Sequence, residues 1–143
     1  MVVRTYGAIL VIAIVGAVTL SACAQMDYGG DKDMAAASAI GPLAMQETAI
    51  GTVLVDANGM TLYTFDKDTE NKANCNGKCA EAWSPLFAPA DAKATGKLTV
   101  AARDDGTEQW AYQGKPLYLW FKDQKPGDTT GDNVKNVWHV VKQ

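Results

Sequence analysis

Three cysteines, one histidine and a recurring tyrosine–aspartate pattern are the side chains of this 143-residue chain with chemistry to offer. In Cys75-Asn76-Gly77-Lys78-Cys79 the Asn-Gly step can turn the chain tightly and bring two thiols within reach of each other. Outside the cytoplasm such a pair is expected as a disulfide, and so short a loop pins local geometry more than global stability. An alternative is thiol or copper handling, since two thiolates at this spacing can hold soft Cu(I), with Met60 or His139 as further ligands. Met26, Met34 and Met45 would extend that idea, but their wide spacing shows no metal-binding pattern. His139 stands between Trp138 and Val140 with no serine, cysteine or aspartate arranged around it, and no G-x-S-x-G, paired-carboxylate or P-loop pattern occurs. Cys-x-x-Cys-His haem attachment is absent. Asp66-Lys67-Asp68-Thr69-Glu70 opens like a calcium loop, but Asn71 stands where glycine is required and Gly77 where the closing glutamate belongs. No catalytic residue, metal or cofactor is predicted.

Cys23 ends a different kind of segment. Arg4 supplies a positive start, Ala8 to Leu20 is apolar or small throughout, and Leu20-Ser21-Ala22-Cys23 follows. The run is short for a membrane span and is built like a signal peptide. Its last four residues resemble the bacterial lipoprotein box, which implies thioether acylation of Cys23 and cleavage after Ala22. Residues 1–22 are then a signal peptide, and 23–47 a lipidated cysteine with a flexible tether broken up by Gly29-Gly30 and Gly41-Pro42. Ala24 follows the cysteine rather than Asp, so nothing argues for retention at an inner membrane. The expected place is the bacterial cell envelope, with the N-terminal lipid in a membrane and the protein facing the periplasm or exterior.

Charge narrows the partners. The whole chain carries a formal charge of −3; cleavage removes Arg4 and no acidic residue, leaving 12 basic against 16 acidic groups and a charge of −4. Acids and bases are interspersed without a basic stripe, which excludes nucleic acid as a natural partner and electrostatic adhesion to anionic lipid. An envelope protein or a small ligand remains.

From about residue 48 the pattern turns to strands. Thr52–Val55 and Thr61–Phe65 flank Asp56-Ala57-Asn58-Gly59, a hairpin signal. Ala80–Trp83 reads as one helical turn stopped by Ser84-Pro85. Strands are predicted again around 98–101, 109–112, 117–121 and 136–141. Shifting residues 51–83 by 55 positions without a gap lays them on 106–138 with 8 identities in 33 positions, where chance gives about two or three. Each copy contains Tyr-x-aromatic-x-x-Asp: Tyr63, Phe65 and Asp68 in the first, Tyr118, Trp120 and Asp123 in the second. On a strand the two aromatics share a face, so they are read as a buried clamp, with the aspartate fastening the loop that follows. In this alignment Thr130 and Val134 stand where the cysteines would be.

These two motifs, the Cys75–Cys79 segment with Ala80 and Trp83-Ser84-Pro85-Leu86, and Trp138 resemble the bacterial family of secreted and lipoprotein repeats with the Yx(FWY)xxD motif, over about residues 50–141. That resemblance implies an exported tandem-repeat domain and carries no catalytic residues with it. The fold expected is mainly β: a small antiparallel-sheet domain over 48–143, built from two pseudo-symmetric repeats with one short helical turn. Its expected role is a non-catalytic binding or structural module.

Overall fold

The computed structural model describes residues 41–143; the segments expected to be signal peptide, Cys23 and the tether as far as residue 40 lie outside the described residues. The chain runs through β1 (Leu43–Thr48), β2 (Gly51–Asp56), β3 (Tyr63–Phe65), α1 (Lys78–Ala82), β4 (Trp83–Pro85), β5 (Phe87–Ala88), β6 (Leu98–Ala102), β7 (Glu108–Tyr112), β8 (Lys115–Pro116), β9 (Tyr118–Trp120), a 3-10 turn (Val134–Asn136) and β10 (Trp138–Val140). The fold is mainly β, and every strand pairing is antiparallel.

β1 begins at Leu43, so residues 43–47, which the sequence reads as the end of the tether, are strand. Ala, Met, Gln and Glu are poor strand formers by themselves. Here the segment is held extended by β2, in a register running from Leu43 opposite Asp56 to Thr48 opposite Gly51. Leu43 is buried with Leu54, Leu62, Leu98 and Leu117 in one of two core clusters. The expected β2–β3 hairpin is reduced to a single bridge between Val55 and Thr61. Asp56 fastens its turn, Oδ1 accepting the amides of Asn58 at 2.8 Å and Met60 at 2.9 Å. Beyond Leu62 the chain leaves β2 and enters a different sheet.

That sheet has the order β10-β3-β9-β4 and records the duplication. Tyr63 of β3 faces Tyr118 of β9, its own counterpart, so a local twofold axis passes between them. Outside this pair, β3 of the first repeat pairs with β10 of the second, and β9 of the second with β4 of the first. The two repeats have exchanged their last strands. The exchange continues in two matching backbone triangles. Leu54 N–H donates to Val141 O, Val141 N–H to Leu62 O and Leu62 N–H to Leu54 O; Trp110, Leu86 and Leu117 repeat the cycle with the repeats reversed.

The offset between copies is not constant. It is 55 residues at β3/β9 and β4/β10, but β2 and β7 match only with one residue more, so that buried Val53 and Val55 correspond to buried Gln109 and Ala111. The loop between β6 and β7 is longer than the Thr48–Gly51 turn, and this displaces the gapless alignment.

Candidate functional site

The motif residues meet at the twofold axis. Tyr63 and Tyr118 have no solvent exposure. Tyr63 Oη donates a 2.6 Å hydrogen bond to Asp123 Oδ2, so a tyrosine of one repeat is held by the aspartate of the other. Gly131 N–H donates to the same hydroxyl at 3.2 Å. Asp123 Oδ1 accepts the Thr130 amide at 3.0 Å and its hydroxyl at 2.6 Å. In the other half Asp68 Oδ1 accepts the Asn74 amide at 2.7 Å. The same pairing is looser here: Asp68 is the carboxylate beside Tyr118, but Tyr118 Oη and Asp68 Oδ2, both buried, make no hydrogen bond of ordinary geometry. Burial first, and then Asp123, pushes the Tyr63 phenol pKa well above its ordinary value. Burial and then the charge of nearby Asp68 do the same to Tyr118. Burial also raises the Asp68 carboxyl, against the opposing pull of the Asn74 amide.

Phe65, Trp138, Trp83 and Trp120 form one column of four rings. Phe65 stacks on Trp138 at 4.2 Å, Trp138 on Trp83 at 3.8 Å with planes 4° apart, and Trp83 on Trp120 at 4.0 Å. The outer contacts are cross-strand neighbours, Trp138 opposite Phe65 and Trp83 opposite Trp120. The twofold axis exchanges the two central indoles and the two end rings. Tyr63 meets Trp83 edge-on at 5.3 Å, and Tyr118 meets Trp138 edge-on at 5.2 Å. Stacked and edge-on geometries both suit the ring quadrupoles. At the outer end Trp120 is half-buried, with the Lys122 ammonium 5.9 Å from its ring centre.

Sequence spacing places Tyr and the next aromatic on one face, but it does not show that each aspartate serves the other copy. A further residue gave no sequence signal at all. Arg103 is buried, donating to Gln109 Oε1 at 2.8 Å, Cys75 O at 3.1 Å and Asn76 Oδ1 at 2.9 Å. Gln109 Nε2 in turn donates to Leu117 O at 2.6 Å. Arg103 thus ties the cysteine loop of the first repeat to β7 of the second.

Cys75 and Cys79 are joined in a disulfide with Cα atoms 5.2 Å apart. Both sulfurs are committed to each other, which corrects the copper alternative: no thiolate pair is present to bind Cu(I). Among the described residues no group of three His, Cys, Asp or Glu side chains could hold a metal ion. The second repeat does without a cross-link, and Gly131, not Thr130, takes the place of buried Cys75 under the tyrosine. A Cβ there would come within 2.9 Å of the Trp83 and Tyr63 rings, so glycine lets the loop lie against them. Asp132 Oδ1 accepts the Val140 amide at 3.1 Å; the corresponding residue of the first repeat is Pro85, which has no amide to cap. His139 Nε2 lies 3.0 Å from Asp66 Oδ2 on the exposed side of β10. Beside the disulfide, Asn76, Gly77, Phe87, Arg103, Asp104 and Asp105 help to line a groove of about 580 Å³. Phe87 is 57% exposed there, its ring centre 5.9 Å from the Arg103 guanidinium carbon.

A duplicated, strand-exchanged β-domain closed by reciprocal aromatic contacts defines a tandem-repeat protein. The model of a family described as a secreted repeat of unknown function matches residues 44–86 and 99–142, and the chain belongs to that family. The two matches cover the two structural repeats, β1 to β4 and β6 to β10. No curated protein and no solved structure matches the chain. Among the described residues no helix is long and apolar enough to cross a membrane.

Proposed function

We propose that this protein is a lipid-anchored component of the bacterial envelope that acts by binding or by holding structure, without turnover. The observation that carries this reading is the inward orientation of the motif. Tyr63, Tyr118 and Asp123 are buried and Asp68 largely so; Tyr63 and Asp123 bond each other between repeats, and both aspartates bond loop amides, so the motif faces the interior rather than a substrate. Groups arranged this way hold a scaffold rigid. The lipoprotein-box sequence at residues 20–23 supplies its mooring, and acyl chains suffice for that, since each buried methylene contributes about 0.8 kcal/mol. The groove beside Phe87 is a surface open to a ligand or partner.

The test is labelling with radioactive palmitate in cells making the natural chain or Cys23→Ala. The natural protein should incorporate label and sediment with membranes, and Cys23→Ala should take up none and persist as an unprocessed precursor. Normal processing of Cys23→Ala, or label on it, would refute the anchor.

A further inference from the structure

The geometry points to a second capacity in the core: we propose that the indole column and Tyr63 form a relay for one-electron oxidation, in which an outer-sphere one-electron oxidant removes an electron at Trp120 and the deficiency comes to rest on Tyr63. The oxidant gains one electron. Tyr63 loses that electron, its O–H bond breaks, and the proton passes along the existing 2.6 Å hydrogen bond to Asp123 Oδ2. The products are a neutral Tyr63 radical and a protonated Asp123, with no other bond changed.

Each step has a structural basis. Both end rings of the column are part-exposed, and of the two Trp120, an indole, is the one an oxidant can oxidise. Its indole Nε1 is buried without a hydrogen-bond partner, so the oxidised ring finds no base in the protein to take its proton and its charge stays mobile. Lys122 beside Trp120 disfavours positive charge at the outer ring and drives it inward. The next ring, Trp83, is in van der Waals contact at 4.0 Å, and Trp138 lies parallel to it at 3.8 Å. Tyr63 touches Trp83 edge-on. The Tyr63 hydroxyl already rests on a carboxylate, and Asp132 adds negative charge nearby.

The twofold axis provides an internal control. Tyr118 has the same burial and the same edge-on contact, to Trp138, and Asp68 lies beside it, but no formed hydrogen bond like the 2.6 Å Tyr63–Asp123 contact joins its hydroxyl to that carboxyl. Proton transfer is fastest along a hydrogen bond already formed, so the hole comes to rest at Tyr63 in preference to Tyr118.

The experiment uses the full chain with Tyr6, Tyr28 and Tyr112 changed to phenylalanine, leaving Tyr63 and Tyr118 as its tyrosines. Flash-generated ruthenium(III) tris-bipyridine is the oxidant and electron paramagnetic resonance the readout. A neutral tyrosyl signal should form, persist undiminished in Tyr118→Phe, vanish in Tyr63→Phe and fall several-fold in Trp120→Leu. Asp123→Asn keeps an acceptor oxygen but removes the base, and should also abolish the signal; it decides the matter if Tyr63→Phe does not fold by near-ultraviolet circular dichroism. No tyrosyl signal in the parent, a signal surviving in Tyr63→Phe or Asp123→Asn, or an equal loss in Tyr118→Phe would overturn the relay.

Discussion

Replacing Trp83 by alanine tests the packing at its centre. Trp83 is 5% exposed and touches Trp138, Trp120 and Tyr63 at ring separations of 3.8, 4.0 and 5.3 Å. Truncating a buried tryptophan costs about 3–5 kcal/mol through lost transfer energy and the cavity left behind. Loss of three aromatic contacts places this one at the upper end, near 5 kcal/mol. A domain of this kind has roughly 5–15 kcal/mol of stability in total, so the variant should be largely destabilised yet measurable by urea titration at low temperature. Far-ultraviolet circular dichroism is the appropriate signal, because tryptophan fluorescence changes with the substitution itself. Trp138 occupies the equivalent place, with Trp83, Phe65 and Tyr118 as neighbours, so Trp138→Ala should cost the same within about 1 kcal/mol. The end rings do not touch each other; Phe65→Leu and Trp120→Leu should therefore add to within about 0.5 kcal/mol. A mild Trp138→Ala beside a severe Trp83→Ala would refute the twofold equivalence. A cost below about 1 kcal/mol for both would refute the column as the core.

Tyr63→Phe should cost about 1.5–3 kcal/mol, as it removes a bond to a carboxylate, whereas Tyr118→Phe, whose hydroxyl makes no well-formed hydrogen bond, should cost less; comparing the two in urea checks this directly. Asp68 has a carboxyl pKa raised by burial above its ordinary 3.8, so its protonated form favours the fold. That contribution is complete below the ordinary value and is lost as pH rises through the raised one. Asp68→Asn, which mimics the protonated group, should therefore gain stability relative to the natural chain between those limits, as melting temperatures on either side would reveal. Cys75→Ser with Cys79→Ser should lose no more than about 2 kcal/mol and keep the same circular dichroism spectrum, since so short a loop restrains few unfolded conformations and the second repeat holds its loop without a bridge. An unfolded double variant would show the bridge to be essential.

Much of this architecture can be read from the residues themselves. The repeat shows because Tyr, Gly, Leu, Asp and Trp recur at one spacing, and the aromatic alternation at 63/65 and 118/120 implies a shared strand face. The cysteine bridge is legible from separation, turn residues and the export that the N-terminal segment implies, although the same spacing alone leaves a copper site open. β1 is hidden because Leu43–Thr48 has no β-branched run, and only pairing with β2 makes it a strand. The crossed Tyr63–Asp123 contact is hidden because periodicity describes one strand at a time and carries no information on which copy lies opposite. Arg103 is hidden for a related reason: a lone arginine before two aspartates reads as a solvated charge, and its burial depends on Gln109 and the Cys75 carbonyl arriving from elsewhere.

The exchanged terminal strands have an evolutionary consequence. A solitary repeat would be left with an open edge and could close only on a twin, so fusion of the two copies gives each a permanent companion. Once fused, neither copy can be deleted without undoing the other, yet each is free to drift wherever its mate compensates. A cystine on one side and a bare glycine on the other, set beneath equivalent rings, are the marks of that licence.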